Sequence, residues 1–467
     1  MIGQGGPLGR RRFLARMSLL AAGALILSDC SPGCSSRSTP PRPRGDDGLD
    51  PFGQPRGAAG GVEEPPPLVR PVIPREEPIA RIRIASVAAS GGRLQVSHAS
   101  GRVEVREGLS LRGPHAAASP VAIARRGNRW DVTDRAGNRF DLDGSKPVDL
   151  LAPAGSSGHL QFNASSYPGM LRCAVVTGAP GAAELDLVNY LPLETYLPGV
   201  LSKELYSSWH RQAFEAQAIA ARSFACAEIQ HFAERRHFDL ASTQQSQAYG
   251  GSTDLAVAMN AVAATRGRVL SWENTLVPAY YSSCCGGVAA SAADEIGPSF
   301  VNDIPPLRAR SGPNACTAAP VYRWRVERSV QDLSARLRAW AASNAMPDLA
   351  RVSEVVGITP SHVNEFGRPV SIAIAGARGE RIEIPSRKFR EAADFTTPSL
   401  PVPAKVMRSS FITASFSGGV AVFDGRGYGH GAGMCQYCAQ ALAQRGVGHE
   451  AMLGMFYPGA SVVTGYV

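Results

Sequence analysis

LPLETYLPGVLSKELYSSWHRQAFEAQAIAARSFACAE (Leu191 to Glu228), followed by DLASTQQSQAYGG (Asp239 to Gly251), is the stretch on which the reading of this chain turns. Phe214, Ala218, Ala221, Ala225 and Phe232 recur at i, i+4, i+7, i+11 and i+18, which predicts one apolar stripe on a long helix. Ser207 or Ser208 is placed to cap its start, and the Ala-rich face allows close packing, so the helix is expected to be central. A second dense segment, GRGYGHGAGMCQYCAQALAQRG, runs from Gly425 to Gly446. Two distant segments rich in Gly, Gln, Ser and His suggest one cleft assembled from separate parts.

Upstream, the period is two. Arg81-Ile82-Arg83-Ile84, Leu94-Gln95-Val96, Val103-Glu104-Val105 and Arg129-Trp130-Asp131-Val132 alternate between Gly-rich turns, the pattern of half-buried strands. Asp134 to Asn138 reads as a hairpin turn leading to Phe140-Leu142. Downstream, helices are expected over Asp254–Thr265, Ser334–Ala342 and Gln436–Arg445, the last ending at Gly446. A strand is expected at Arg268–Ser271 and paired strands across Ile372–Ile384. The fold class is therefore α+β: a β-rich part (80–190) packed with a mixed α/β catalytic part (191–467) around one cleft.

The N-terminus reads as a transport signal over residues 1–29. Arg10-Arg11-Arg12-Phe13-Leu14 is a twin-arginine pattern, and the apolar run Met17–Leu27 is too short to span a bilayer. The twin-arginine route carries folded cargo, so it permits a metal acquired before export. Cys30 is a lipidation candidate, although Asp29 stands where a small residue is usual. Residues 30–79 are dominated by Pro, Gly, Ser and Arg, a composition that cannot bury enough apolar surface to offset ordering, and read as a spacer. The expected location is the periplasm or cell envelope, with a membrane reached only through a lipid anchor.

Net charge is +9, from 48 Lys and Arg against 39 Asp and Glu. The positive charge is spread thinly, with no basic cluster interleaved with aromatics, which argues against nucleic-acid binding. An anionic polymer such as a cell wall fits better.

Among candidate chemistry-bearing residues, Glu204 stands between the apolar turn Tyr196–Leu201 and the long helix. A partly desolvated carboxyl keeps its proton and can act as a general acid; the plainer alternative is a surface Glu beside Lys203. Glu194 is expected near a helix N-terminus, and Glu215, off the apolar stripe, in solvent. Gln217 and Arg222 lie on the long helix. Arg222 is suited to a sugar carboxylate, to Glu204, or to a structural tie. Gln247 and Tyr249 suit carbohydrate binding. His430 sits in a run of four Gly within seven residues, which is neither a phosphate-binding loop nor a dinucleotide fingerprint; it is a candidate for orienting substrate or Glu204.

The cysteines leave three outcomes open. After export, disulfides are the default. Cys285, Cys316, Cys435 and Cys438 form a weak candidate set for a structural zinc, without a paired CxxC…CxxC spacing; free thiols are the third. Cys173 and Cys226 read as isolated buried residues. A thiol redox role for Cys435 and Cys438 lacks a thioredoxin-like βαβ setting. Acid–base chemistry at a single carboxyl requires no cofactor.

At these segments the chain resembles the sporulation stage II protein D / LytB amidase-enhancer family. Leu191–Glu204 is similar to its LPLEDYLxGVVxxEM, with Leu205 in place of Met. Trp209–Phe224 resembles W-P-x-E-A-L-x-A-Q-A-V-A-A-R-T-Y/F, keeping Trp209, Gln217, Arg222 and Phe224. Gln247–Gly251, Thr265-Arg266-Gly267, Gly286-Gly287, Trp324, Gly425–Ala439 and Tyr457-Pro458-Gly459 also match. The resemblance implies a peptidoglycan lytic transglycosylase acting on glycan strands already stripped of stem peptides, in partnership with a cell-wall amidase. It implies Glu204 as the catalytic acid and extends the substrate-binding candidates to Ser282, Ser283, Arg426 and Gln436. A second reading is a non-catalytic glycan-binding enhancer of that amidase. Departures are Leu240, Gln245 and Ser246, where some members hold zinc; Ser282 in place of a His; and Cys438 in place of a Gly.

Overall fold

The computed structural model describes residues 69–108, 114–177 and 183–467. The transport signal, Cys30 and most of the expected spacer lie outside these residues. The last part of that spacer is docked on the body. Val72 exchanges hydrogen bonds with the Gln230 side chain, both 2.8 Å, and Arg266 donates to Glu77 at 2.6 Å. Its Pro-rich composition forbids a core of its own, yet its backbone groups find partners on neighbouring surfaces.

The alternating segments form two sheets. In the larger, seven strands run in the order Leu240–Ala241, Ile79–Ala88, Ala183–Pro192, Met170–Thr177, Val148–Leu151, Arg102–Glu107, His115–Ala118. All neighbours are antiparallel except the first pair. The smaller joins Arg93–Val96, Val121–Arg126, Arg129–Thr133 and Arg139–Phe140, and contains the expected hairpin. Ile82, Val96, Val105 and Leu187 are fully buried between these layers, as a period of two requires.

The strand Ala183–Pro192 feeds directly into a helix, Leu193–Glu204, and then into the long helix Arg211–Phe232. The stripe residues Phe214, Ala218, Ala221 and Ala225 face the β-rich core, while Ala213, Ala216, Ile219 and Ala220 belong to a second core. Apolar neighbours on two sides explain the alanines: only small side chains let backbone pack closely on both faces. The cap is not Ser207 or Ser208, both exposed; His210 Nδ1 accepts from Gln212 N at 3.2 Å. Glu215 is not in solvent either. It is buried, accepts from Gln212, and lies 3.0 Å from His449 Nδ1, because the helix has no free face.

A third core, not separated by the sequence reading, gathers Trp340, Phe389 and Phe423. It is built from the sheet of Arg323–Ser329, Val420–Arg426 and Ile412–Ser417, the meander Val355–Val363, Pro369–Gly376 and Arg381–Pro385, and the helices Val330–Ser343 and Ser386–Ala393. The fold is α+β. No helix among the described residues is long and apolar enough to cross a membrane.

Candidate active site

Glu204 is the last residue of the helix Leu193–Glu204, not a loop residue ahead of the next one. That position places its carboxyl at the negative end of the helix dipole, which disfavours the anion. Its side chain is half-buried. Oε1 accepts from the Ala248 amide at 2.9 Å and Oε2 from Gln436 Nε2 at 3.2 Å. Burial raises its pKa above the ordinary carboxylate range, against the pull of those two donors. Both donors are neutral, and no ion pair to Glu204 occurs among the described residues. Lys203, its expected partner, is exposed and runs alongside Gly250.

The two donors come from the two segments that the sequence singled out. Ala248 lies between Gln247 and Tyr249, and Gln436 opens the helix Gln436–Gln444. Gln217, from the long helix, completes the group: its Oε1 accepts from Gln436 Nε2 at 3.3 Å, while its own Nε2 has no partner among the described residues. A buried amide donor left unpaired beside a carboxyl is costly unless water or a ligand meets it.

Gln247 and Tyr249 are inward-facing supports. Gln247 is fully buried, donates to Ala221 O at 3.1 Å and to the Tyr281 hydroxyl at 2.9 Å, and accepts from the Tyr196 hydroxyl at 3.2 Å. The Tyr249 hydroxyl donates to Asn189 Oδ1 at 2.9 Å. These bonds hold the Ala248 amide in position. Burial and, after it, nearby Tyr249 and Glu204 push Tyr196 well up, so the phenol is a donor throughout the working range.

Arg222 is a structural tie. It is fully buried and grips Glu194 with Nε–Oε1 at 2.7 Å and Nη2–Oε2 at 2.8 Å. The Tyr466 hydroxyl, 2.6 Å away, and the Gly267 amide, 3.3 Å away, also donate to Glu194. Burial alone would raise the Glu194 pKa, but Arg222 and these donors outweigh it and hold it down. The tie joins the start of the first helix to the long helix and the chain's C-terminal end.

The glycine run packs against Ser282–Gly287. Tyr428 and Cys284 exchange backbone hydrogen bonds of 2.8 and 3.1 Å, and Ser282 Oγ accepts from Gly431 N at 3.2 Å. A Cβ on Gly433 (φ +70°) would stand 1.8 Å from Tyr280 O, and one on Gly427 (φ +80°) 2.5 Å from Cys284 O. Only glycine gives both the left-handed backbone and the close approach there. The Ser283 carbonyl accepts from Tyr437 N at 3.1 Å. Arg426 stacks its guanidinium over Phe411, 4.7 Å from the ring centre.

His430 makes no hydrogen bond to Glu204 among the described residues. Its Nδ1 accepts from Ala432 N at 3.1 Å, its ring meets Tyr280 edge-on at 6.2 Å, and burial lowers its pKa to about 4, so it is neutral. It lines a cavity of about 600 Å³ together with Glu228, Tyr280, Tyr281, Gln245 and Ser246. Glu204 does not line that cavity. Tyr281 belongs to both places, through its bond to Gln247 and its wall in the cavity. Burial, opposed by Arg236 and reinforced by Asp239, pushes Glu228 up to about 7. Sequence reasoning missed Glu228, although it sits three residues after Ala225 and four before Phe232, a carboxylate on the apolar stripe.

None of the seven described cysteines is in a disulfide, and all are buried. Cys285, Cys316, Cys435 and Cys438 converge, with their sulfurs within 4.8 Å of one another. Cys173 and Cys226 stand apart in the β-rich core.

Residues 182–272 match the family model described as Stage II sporulation protein. Over 298 residues the chain is 28% identical to the amidase enhancer of Bacillus subtilis strain 168, a match covering 57% of this chain and 40% of that protein. It is 29% identical over 278 residues to an uncharacterized protein of Brachyspira hyodysenteriae, covering 59% of this chain and 68% of the other. A stage II sporulation protein D of Bacillus amyloliquefaciens is 26% identical over 290 residues, covering 59% and 75%. The matched region thus spans well under half of the amidase enhancer.

Proposed function

We propose, from the premise that the chain belongs to the stage II sporulation protein D / LytB amidase-enhancer family, that it is an exported cell-wall protein that cleaves peptide-stripped glycan strands as a lytic transglycosylase. The observation that carries this reading is the setting of Glu204: a half-buried carboxyl at a helix C-terminus, held by two neutral donors from distant segments, with its pKa raised. Such a group keeps a proton to give and can take one back.

In the reaction, the Glu204 carboxyl donates its proton to the glycosidic oxygen between N-acetylmuramic acid and N-acetylglucosamine as the bond to the anomeric carbon breaks. The 6-hydroxyl of the muramic residue then closes on that carbon, and the Glu204 carboxylate accepts the hydroxyl proton. The product is a 1,6-anhydro-muramic end, and Glu204 is again protonated. The nucleophile belongs to the substrate, so no second carboxylate is needed, unlike the two-acid arrangement of glycoside hydrolysis. Ala248 N and Gln436 Nε2 stabilise the transient carboxylate, and Gln217, fully buried behind them, accepts from Gln436 and holds that amide in place. Ser282, Ser283, Arg426 and His430 remain candidates for contacts farther along a strand.

The test is mass spectrometry of amidase-treated glycan strands after incubation with purified protein. Anhydro-muramic ends are expected, and Glu204→Gln should lower their release by roughly 10²- to 10⁴-fold while strand binding persists. Activity should decline as pH rises through the raised Glu204 pKa, because the acid form is the one that starts the reaction. The name of the amidase-enhancer relative favours a second reading, a glycan-binding partner of an amidase. Stimulation of a purified amidase without anhydro products, and indifferent to Glu204→Gln, would establish that alternative.

A further inference from the structure

The four converging cysteines form a closed cage beside the candidate active site. Cys285 follows the Ser282-Ser283 pair, Cys316 comes from a separate loop, and Cys435 and Cys438 bracket Gln436 at the start of the helix Gln436–Gln444. All four are buried, and all four sulfurs lie within 4.8 Å of one another. The sulfurs of Cys285 and Cys316 are 3.7 Å apart.

Geometry decides what such a set can hold. Four thiolates placed tetrahedrally at about 2.3 Å from one ion stand about 3.8 Å from each other. Two sulfurs joined in a disulfide stand about 2.05 Å apart. The 3.7 Å between Cys285 and Cys316 is that of a tetrahedral edge, and the 4.8 Å bound on the other pairs leaves them within a short contraction of it. A cluster of several irons and bridging sulfides would force its cysteine sulfurs farther apart, so the cage has room for a single ion. Tetrahedral all-sulfur coordination selects zinc among common redox-silent metals, and four protein ligands leave no open position for substrate.

Backbone donors converge on one of the sulfurs. The Cys285 and Cys438 amides point at Cys435 Sγ, at 3.3 and 3.4 Å. Cys435 also occupies the N-cap of its helix, where the unpaired amides and the helix dipole stabilise negative charge. The ligands arrive from three distant segments, which is why no paired spacing announces them in the sequence.

We propose that Cys285, Cys316, Cys435 and Cys438 bind one zinc ion as a structural tetrathiolate centre that locks Ser283–Gly287, the Cys316 loop and the head of the helix Gln436–Gln444 together. Gln436 lies between two of the ligands and donates to Glu204 and Gln217. The ion therefore also fixes Gln436 against the acid, a consequence that rests on the functional reading of Glu204. The twin-arginine pattern at Arg10–Leu14 is compatible with this, since cargo folded before export meets the oxidising compartment with its thiols already on the metal.

Metal analysis of the purified full-length chain should give one zinc per chain, released stoichiometrically by an organomercurial thiol reagent. Cobalt exchanged into the site should show the intense visible bands of tetrahedral thiolate coordination. Cys316→Ser should raise the zinc dissociation constant by at least the roughly 100-fold that outer-shell losses alone produce. Amide hydrogen exchange over residues 436–442 should rise on metal removal while that of 183–192 does not. A folded chain without metal, whose four thiols are paired as disulfides or titrate freely, overturns the proposal. Iron with a ferric-thiolate colour in place of zinc overturns the metal assignment. If Cys316→Ser fails to fold, the stoichiometry and cobalt spectrum of the unaltered chain still decide. None of these readouts depends on glycan cleavage, so a catalytically silent protein can still hold the ion.

Discussion

Replacing Arg222 by Leu tests whether this arginine ties the fold together or reaches substrate. In the structure it is fully buried and makes both of its short charged bonds to Glu194, at 2.7 and 2.8 Å, with a further donation to the Arg268 carbonyl at 3.1 Å. Leucine preserves much of the volume but leaves Glu194 as a buried carboxylate held by only the Tyr466 hydroxyl and the Gly267 amide. Removing one partner of a buried pair costs about 3–5 kcal/mol, because the other charge is stranded. At roughly 2–4 °C per kcal/mol for a mid-sized domain, Tm should fall by about 6–20 °C, toward the lower end for a chain this long. Replacing Glu194 by Leu as well removes the stranded charge, so the double variant should be more stable than Arg222→Leu. The linkage has a definite sign: the folded Glu194 pKa is lowered from 4.5, so the pair's stabilisation is present above that value and disappears as pH falls through the folded pKa. Scanning calorimetry of the two singles and the double at pH 7 and at acidic pH measures all of this. A Tm within about 2 °C of the unaltered chain, together with weakened glycan binding, would refute the structural assignment and return Arg222 to the substrate.

Other outcomes follow from single features of the structure. Glu228, pushed up to about 7 by burial, charges only at a cost. Its contribution to stability is fully present below its unfolded pKa of 4.5 and lost as pH rises toward 7, so Glu228→Gln should gain stability relative to the unaltered chain across that window. The gain is on the order of 1–3 kcal/mol after allowing for partial solvent access; a pH-independent difference in urea titrations would count against the buried-acid assignment. Gly433→Ala places a Cβ 1.8 Å from Tyr280 O at φ +70°, and should cost more than about 2 kcal/mol. Unchanged thermal unfolding of that variant would mean the turn is not as tightly packed as described.

What the sequence made legible was whatever it wrote locally. The strand alternation around Ile82 and Val96, the stripe from Phe214 to Phe232 and the stop at Gly446 all appear where periodicity and turn chemistry placed them. Each depends on residues within one or two turns of each other. The candidate site was legible only in part, since which segments matter is a local signal and who meets whom is not. Nothing near Arg222 tells it apart from a ligand-binding arginine; the deciding partner, Glu194, is 28 positions away and its third donor, Tyr466, sits at the chain's end. The same holds for the capping of the long helix, where two serines look better than His210 until the approach of the helix Gln436–Gln444 is known. There the side-chain oxygen of Gln440 accepts from the His210 amide at 2.8 Å, fixing the residue whose ring then caps the helix.

The placement of Gln436 joins these two levels. Its amide meets Glu204 only because the glycine run passes within backbone contact of Tyr280 and Cys284, bringing the head of the helix Gln436–Gln444 across the end of the helix Leu193–Glu204. Ala248 meets the other carboxyl oxygen only because Gln247 is anchored from three sides. A carboxyl at a helix C-terminus, facing two neutral donors, is less stabilised as an anion than one facing a cation would be, since an opposite charge lowers a carboxyl pKa more strongly than a neutral hydrogen bond. Arg222, on the long helix, is bonded to Glu194 instead. That division, with the cation on the ionised acid and amides on the acid proposed to exchange a proton, separates the structural Glu194 from Glu204 ten residues along the same helix.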